Sequence, residues 1–162
     1  MDQAAADLVA IERAVAALHA RYVAIIDEGR LEEWPALFVE AGRYEITTRD
    51  NLANNYPIGV VYCDTRAMMV DRVTAARRIL VYEPHLYRHV GGYLTVEPDS
   101  AGRYRATSHF HVFRIMQSGD FRPFACGVFR DVITFAHAAP LFESRQVVLD
   151  SPNIDTGLVI PL

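Results

Sequence analysis

The chain has 162 residues, a length that fits one domain with enough buried surface to fold without disulfides or bound metals. Its residues are 51% hydrophobic and 22% charged, and the formal net charge is -4, so the composition is globular and lacks the basic surface that nucleic-acid binding requires. All 16 basic residues are arginine, which excludes lysine Schiff-base chemistry.

The N-terminal sequence contains no basic segment followed by an apolar core, and no apolar run approaches the ~20 residues that a membrane span requires. We therefore expect a cytoplasmic protein with no membrane partner. In a reducing cytoplasm its two cysteines, Cys63 and Cys126, would remain free thiols. Both lie among apolar neighbours and neither belongs to a catalytic signature, so we expect both to be buried and inert.

The first 38 residues predict two helices. Residues 3–28 carry a narrow apolar stripe, which is typical of a helix that lies against a surface; a two-helix coiled coil is the alternative. The stripe consists of Leu8, Ile11, Val15, Leu18, Tyr22 and Ile25. Gly29 follows at the position where helices commonly end. Residues 31–38 predict a short second helix with Pro35 in its first turn, where a missing amide hydrogen costs little.

The middle of the chain predicts a strand, a polar loop and a third helix, over residues 42–49, 50–59 and 64–80. Asp64 is expected to cap this helix, because its carboxylate can accept the free amide hydrogens of the first turn. One face of the helix is apolar, with Met69, Val73, Ala76 and Leu80. The remaining surface is charged, with Arg66, Asp71, Arg72, Arg77 and Arg78. This surface is either an assembly surface or a solvated face with surface ion pairs.

The last part of the chain predicts a sheet of long strands. The strands cover residues 87–96, 104–117, 121–135 and 141–150, and short turn sequences separate them. Consecutive hairpins form an antiparallel meander. Within the first strand, Gly91 and Gly92 predict a bulge or bend. Helices followed by such a sheet indicate an α+β fold. We expect a single domain over residues 1–162, a cone in which a strongly curved antiparallel sheet wraps the N-terminal helices.

The sequence contains few motifs that by themselves indicate a catalytic, metal-binding or cofactor-binding site. His109 and His111 would lie on one face of a strand, yet no HExxH motif and no Rieske pattern of Cys and His accompanies them. No GxSxG elbow, phosphate-binding loop or dinucleotide fingerprint is present. We therefore expect no metal, cofactor or catalytic residues in this chain.

General acid–base chemistry at the mouth of the cone stays open as an alternative, since a buried aspartate beside a histidine is suited to proton transfer. The polar residues that could line such a mouth are Tyr22, Asp27, Asp71, Arg72, Arg88, His89 and His109. The competing interpretation is a structural ion-pair network, with Asp71, Arg72, Arg88 and Asp150 as its members.

Four sequence motifs occur in a fixed order along nearly the whole chain. The first runs from Asp27 to Phe38 and contains Trp34-Pro-x-Leu-Phe, and the second is Arg49-Asp50-Asn51. The third and fourth comprise Tyr62, Asp64, Thr65, Met68, Asp71 and Arg72, and then Tyr82, Arg88 and His89. In this combination the chain resembles the small (β) subunits of aromatic-ring-hydroxylating dioxygenases, particularly those that act on aromatic carboxylates such as terephthalate.

The resemblance implies an NTF2-like cone, the fold of nuclear transport factor 2, whose pocket is usually occluded. It also implies an assembly of three large and three small subunits, in which the large subunit holds a Rieske [2Fe–2S] cluster and a mononuclear Fe(II). Electrons would come from NADH through a reductase. This chain would carry neither cofactor, and its role would be structural.

The resemblance adds a set of residues for subunit interfaces or structural ion pairs: Trp34, Arg49, Asp50, Asn51, Asp71, Arg72, Arg88 and His89. The alternative function is a stand-alone isomerase, dehydratase or small-ligand binder. That alternative requires an apolar cavity of about 300 Å³ or more, with polar groups of shifted pKa in its wall.

Overall fold

The computed structural model describes residues 3–57, 59–79, 82–100, 102–153 and 158–162, with side chains from residue 7 onward. Along these residues the elements follow in the order α1 (Gln3–Asp27), a 3₁₀ helix (Leu31–Leu37), β1 (Phe38–Thr48), α2 (Arg49–Ala53), β2 (Val61–Cys63), α3 (Arg66–Arg78), β3 (His85–Ser100), β4 (Arg103–Met116), β5 (Phe121–Thr134) and β6 (Leu141–Leu149).

The strands form one sheet in the order β2-β1-β6-β5-β4-β3. The predicted α+β fold, with N-terminal helices packed against a curved sheet, is confirmed. The sheet is mixed, however, because β6 pairs in parallel with β1, so that Ile46 lies opposite Val147. The other neighbouring strands are antiparallel, as the meander predicts. The prediction of a wholly antiparallel sheet was therefore wrong. The alternation of apolar and polar residues along a strand is the same whether the strand pairs in parallel or antiparallel with a distant strand, so the sequence could not show the direction.

Helix α1 packs its apolar stripe against the sheet and the 3₁₀ helix. Val15, Leu18, Tyr22 and Ile25 are each at most 5% exposed. From Val15 onward the helix therefore buries its apolar stripe within the chain, as predicted, whereas Leu8 near its start is 37% exposed. Gly29 has φ of +70°, a left-handed conformation that glycine adopts without steric cost and that ends the helix.

The shorter helices differ in detail from the prediction. The segment with Pro35 is a 3₁₀ helix that ends before Phe38, which begins β1. Helix α3 is capped by Thr65, whose Oγ1 accepts from the backbone N–H of Met68 at 3.3 Å. The prediction that Asp64 is the capping residue was therefore wrong by one position. Leu80, predicted at the end of this helix, lies outside the described residues.

Two short elements lie in or beside the predicted polar loop. Helix α2 is capped by Thr48, whose hydroxyl oxygen accepts from the backbone N–H of Asn51 at 3.1 Å. Strand β2 has three residues and pairs with β1. Elements this short carry too few residues to show a hydrophobic period, which is why the sequence did not predict them.

The glycine pair in β3 lies beside an irregularity, as predicted. The register between β3 and β4 shifts between Gly92 and Thr95. Tyr93, within the shift, has φ of +53° and is 86% exposed. A non-glycine residue in the left-handed region is uncommon, so the β3 backbone is locally distorted beside α1.

Candidate functional site

A buried pair of polar side chains joins the end of α1 to strand β3. Asp27 Oδ1 lies 2.6 Å from Nδ1 of His89, and Asp27 Oδ2 accepts from the backbone N–H of His89 at 3.0 Å. The two side chains are 3% and 1% exposed. Two of the residues that the sequence analysis assigned to one cavity mouth are therefore in direct contact.

The partners of His89 define its hydrogen-bonding state. Its Nδ1–H donates to the Asp27 carboxylate, which can only accept while it is ionised. Its Nε2 is buried and has no hydrogen-bond partner among the described residues. A histidine whose second ring nitrogen is free of other partners has an acceptor that general-base chemistry can use.

Arg88 lies next to this pair but points outward. Its Nη1 is 3.7 Å from Asp27 Oδ2, and its side chain is 64% exposed. Solvent screens an attraction of this kind, which therefore contributes little to stability. Arg88 is thus available on the surface immediately outside the Asp27–His89 pair.

A second buried cluster, which the sequence analysis missed, lies between α1 and the inner face of the sheet. Arg145 on β6 binds Asp131 on β5 through two bonds, Nε to Oδ1 at 2.9 Å and Nη2 to Oδ2 at 2.7 Å. The guanidinium carbon lies 4.0 to 4.4 Å from the centroids of the Tyr22, Phe129 and Phe142 rings. Cation–π contact and a bidentate ion pair together offset the cost of burying this charge.

His19 on α1 completes the cluster. Its Nε2 lies 2.8 Å from Asp131 Oδ2 and its Nδ1 lies 3.3 Å from Oγ of Ser108 on β4. Since a carboxylate can only accept, Nε2–H donates to Asp131, and Nδ1 is then the acceptor for the Ser108 hydroxyl. The cluster thus forms a chain of hydrogen bonds from Asp131 through His19 to Ser108.

Burial and charge fix the protonation of this cluster. Burial lowers the pKa of His19, and the nearby positive charge of Arg145 lowers it further, so the imidazole is neutral near pH 7. Burial acts to raise the pKa of Asp131, but the charge and hydrogen bonds of Arg145 outweigh it, and the pKa lies below its ordinary value. The pair of Asp131 and Arg145 is therefore ionised while His19 remains neutral.

The sequence does contain a signal for this cluster. Asp131 lies between Phe129 and Ile133 at the same period-two positions, and all three residues are buried. A charged residue in line with inward-facing apolar residues indicates a buried ion pair, because such a charge is rarely buried alone.

A cavity of about 340 Å³ opens between α1, β3 and β4, next to this cluster. Its wall is formed by Ala16, His19, Ala20, Val23, Gly91, Gly92, Tyr93, Leu94, Ser108, His109, Phe129 and Arg145. Neither Asp27 nor His89 belongs to this wall. The volume meets the requirement of the alternative function, and so does His19 in the wall, whose pKa is lowered by burial. The Asp27–His89 pair, however, is not the polar group that lines it.

Of the predicted interface residues, Trp34 lies in the core. It is fully buried, and its ring centroid lies 4.9 Å from that of Tyr44 in an edge-on contact. It therefore supports the fold from behind any interface. Arg49 pairs with Asp150 at the surface. Arg49 begins α2, and Asp50 and Asn51 follow it in the first turn.

The predicted network of Asp71, Arg72, Arg88 and Asp150 is not formed. Arg72 donates to the main-chain oxygen of Leu158, whereas Asp71 on the same helix is exposed. Adjacent residues of a helix project in different directions, so neighbours in sequence do not pair. Asp150 instead pairs with Arg49, and Arg88 lies beside Asp27.

The possible metal ligands are dispersed. His109 and His111 are exposed and lie on one face of β4, as predicted, with Phe110 buried between them. No group of three or more His, Cys, Asp or Glu side chains in the described part of the chain is placed to hold a metal ion. Cys63 is buried and Cys126 half-buried, and both are unpaired. Burial raises the pKa of the Cys63 thiol.

Helices in the described ranges are too short or too polar to cross a membrane. Residues 7–138 match the family model of the SnoaL-like domain.

Among characterised proteins, the chain is 34% identical to the β 1 subunit of the terminal oxygenase component of terephthalate 1,2-dioxygenase from Comamonas sp. The match covers 91% of this chain and 96% of that subunit. The chain is also 29% identical to the anthranilate 1,2-dioxygenase small subunit from Burkholderia cepacia, over 90% of each chain.

Among solved structures, the fold is similar to the β subunit of a putative aromatic-ring-hydroxylating dioxygenase from Novosphingobium aromaticivorans. That structure has a TM-score of 0.87 and 28% identity, with 96% of this chain and 99% of the other covered. The benzoate 1,2-dioxygenase β subunit from Burkholderia mallei shares the fold, with a TM-score of 0.69 and 17% identity, over 84% of this chain and 88% of that one.

Proposed function

Since the chain belongs to the family of small (β) subunits of aromatic-ring-hydroxylating dioxygenases, we propose that it is the non-catalytic, structural small subunit of a Rieske non-haem iron dioxygenase. The observation that carries the proposal is the 34% identity to a terephthalate dioxygenase β subunit, which extends over 96% of that subunit. In this proposal the chain acts as one domain over residues 1–162.

The substrate class follows from the relatives. Terephthalate and anthranilate, which appear in the names of the similar proteins, are both aromatic rings with a carboxylate. The complete enzyme would dihydroxylate an aromatic carboxylate, and we propose terephthalate. It would use O₂ and electrons from NADH that a reductase delivers, in the cytoplasm.

The cofactors of the complete enzyme would belong to the large subunit: a Rieske [2Fe–2S] cluster and a mononuclear Fe(II). The small subunit would instead stabilise the assembly, which we propose contains three large and three small subunits. In support, two buried carboxylates of this chain are held by side chains of the chain itself, Asp131 by Arg145 and Asp27 by His89.

The outer face of the sheet offers a surface for such an assembly. Leu86 on β3 and Phe121 on β5 are 60% and 57% exposed, and both lie opposite Ile115 on β4. Phe113 stacks on Phe121 with ring centroids 4.9 Å apart, and Val90 is 50% exposed on the same face as Leu86. We call these five residues the β3–β5 patch. Contiguous apolar surface of this kind is typical of protein–protein contacts.

Charged residues would complete the interface. Arg88 projects from the same face of β3 as Leu86 and Val90. Arg49, Asp50 and Asn51 form a separate exposed or half-buried segment at the start of α2. Charges of this kind at the rim of an interface select the partner and its register more than they add affinity. We propose both groups, together with Asp71 and Arg72 on α3, as contacts to neighbouring subunits, with Trp34 and His89 supporting the surface from behind.

A stand-alone isomerase, dehydratase or small-ligand-binding protein is the second candidate. The Asp27–His89 pair favours it, because the Nε2 of His89 is buried without a partner among the described residues. This pair is absent from the wall of the 340 Å³ cavity, so the cavity does not place a substrate against its imidazole. The subunit proposal is therefore preferred.

Oxygen consumption tests the proposal. The large subunit, the reductase and NADH are combined with or without this chain, and terephthalate, anthranilate or benzoate is added. We expect turnover only when both subunits are present, fastest with terephthalate, and none with this chain alone. Equal turnover by the large subunit without this chain would contradict the structural role, and a reaction of any of these acids with the isolated chain would support the second candidate.

A further inference from the structure

We propose that residues 158–162 are a removable plug: they occupy a peptide-binding site between α1, β1 and α3, and they can leave it while the sheet stays folded. This goes beyond the subunit role, because a purely structural subunit needs no segment that opens. The site is separate from the 340 Å³ cavity, whose wall does not include Tyr22, Tyr44 or Arg72.

The plug is bound through side chains and not through the sheet. It belongs to no helix or strand, and within the described ranges its main-chain hydrogen bonds are made to side chains of α1, β1 and α3. A strand that is paired on both sides opens together with its sheet, whereas a segment held at a few points can open locally. Residues 158–162 are therefore held as a bound peptide is held.

Two buried tyrosines bind the main chain of Leu162. The hydroxyl of Tyr22 donates to the Leu162 main-chain oxygen at 2.5 Å, and the backbone N–H of Leu162 donates to the hydroxyl oxygen of Tyr44 at 3.0 Å. The Tyr44 hydroxyl also lies 3.3 Å from the Leu162 oxygen. Both tyrosines are fully buried. Together they recognise an N–H and a carbonyl of one residue, which is the chemistry of a peptide main chain.

The side chains of the plug fill apolar space. Leu162 is 0% exposed and Leu158 is 8% exposed, and both belong to the hydrophobic core. Pro161 is buried beside Leu162. At the other end of the segment, Arg72 on α3 donates to the main-chain oxygen of Leu158. The plug is therefore held at both ends by polar contacts and between them by apolar burial.

Removal of the plug would leave a site that selects the same chemistry. Without Leu162, the hydroxyls of Tyr22 and Tyr44 would lose these partners in an apolar interior, and a buried polar group without a partner is unfavourable. A separate peptide with the same N–H, carbonyl and leucine side chain can restore both hydrogen bonds. The vacated site should therefore bind the sequence of the plug itself.

Native-state hydrogen exchange of the full-length chain tests whether the plug opens. We expect the backbone amide of Leu162 to exchange at least ten times faster than the amides of β6, which is paired on both sides by β1 and β5. Local opening exposes little surface, so the Leu162 rate should not depend on low concentrations of urea. Equal rates with the same dependence on urea would show that the segment opens only on global unfolding and would overturn the proposal.

A chain that ends at residue 157 tests the vacated site. Trp34 is the only tryptophan, and its ring centroid lies 4.9 Å from that of Tyr44, so its fluorescence reports on the site. We expect the shortened chain to keep its circular dichroism spectrum and to bind the N-acetylated peptide Leu-Val-Ile-Pro-Leu saturably. The same five residues in reverse order should bind at least ten times more weakly. A shortened chain that does not fold, or that does not prefer the first peptide, would overturn the proposal.

A matched pair of tyrosine variants of the shortened chain locates the peptide. Tyr22→Phe keeps the ring but removes the hydroxyl that donates to the Leu162 oxygen, whereas Tyr62→Phe removes a hydroxyl from a side chain that is 53% exposed. We expect Tyr22→Phe to weaken peptide binding about fivefold, the contribution of one hydrogen bond, and Tyr62→Phe to leave it unchanged. Equal effects would mean that the peptide binds elsewhere and would overturn the proposal. None of these results depends on a large subunit, so the plug and the subunit proposal fail or stand separately.

Discussion

Asp27 and His89 hold the C-terminal end of α1 against the edge strand of the sheet. One carboxylate accepts from both the imidazole Nδ1, at 2.6 Å, and the backbone N–H of the same residue, at 3.0 Å. The bond to the backbone N–H satisfies a main-chain group of β3, the last strand in the sheet order. The contact therefore fixes both the position of the strand and the orientation of its histidine.

Removal of this carboxylate is expected to destabilise the protein. Asp27→Ala leaves two buried donors of His89 without an acceptor, and breaking a buried charged contact costs about 3 kcal/mol. Urea unfolding followed by circular dichroism measures the loss. Glu28→Ala is the matched control, because Glu28 is exposed and its ion pair among the described residues is with Arg30 at the surface. It should change stability by less than about 0.5 kcal/mol. Equal effects of the two changes would show that the Asp27–His89 contact is not stabilising.

Stability is expected to fall as the pH drops below neutrality, partly through His19. Its folded pKa lies below the ordinary value of 6.5, so the unfolded state binds more protons than the folded state. The stabilisation that results from the lowered pKa of His19 is therefore complete above about pH 6.5 and is lost as the pH falls towards the pKa of the folded state. Asp131, whose pKa is also lowered, adds a further loss at more acidic pH.

His19→Gln should flatten the decline in the free energy of unfolding from about pH 7 downward, because a glutamine amide donates to Asp131 without titrating. His137→Gln, at an exposed position between β5 and β6, serves as the control and should keep the wild-type decline. Urea unfolding at a series of pH values measures both variants. An unchanged slope in His19→Gln would contradict the assignment.

Replacement by alanine should destabilise the protein at one glycine of the sheet and have almost no effect at another. A side-chain carbon at Gly127 would lie 2.0 Å from the main-chain oxygen of Val148, so Gly127→Ala must displace the backbone of β6. We expect a loss of at least about 2 kcal/mol, the cost of overpacking. At Gly92 the space is open, and Gly92→Ala should change stability by less than about 0.5 kcal/mol. Thermal unfolding compares the two variants, and similar melting temperatures would contradict the packing between β5 and β6.

The β3–β5 patch is expected to be required for assembly but not for folding. Leu86→Glu places a charge at its exposed edge and should reduce co-purification with the large subunit at least tenfold, with an unchanged circular dichroism spectrum. Val9→Glu on α1, where the native side chain is 41% exposed, is the control and should leave co-purification unchanged. If both variants assemble like the wild type, the interface lies elsewhere.

The sequence predicted those parts of the fold that depend on local patterns. The stripe of α1 and the glycine at its end follow from helical geometry, and the distortion beside Gly92 follows from glycine within a strand. The parallel pairing of Ile46 with Val147 could not be predicted in this way, because it depends on a contact between residues about 100 positions apart.

The candidate site likewise contains residues that the sequence pointed to and residues that it did not. The sequence analysis placed Asp27 and His89 among the polar residues that could line one cavity mouth, and the structure brings these two into direct contact. His19, Asp131 and Arg145 were missed because they come from three distant segments and form no motif. The inward strand position of Asp131 was their one local signal.

Co-expression of this chain with its large subunit, followed by size-exclusion chromatography with light scattering and iron analysis, distinguishes a structural subunit from a stand-alone protein. We expect a coloured complex of three large and three small subunits, whose iron stays with the large subunit when the two are separated. A colourless small chain that elutes alone, or iron that remains bound to this chain after separation, would contradict it.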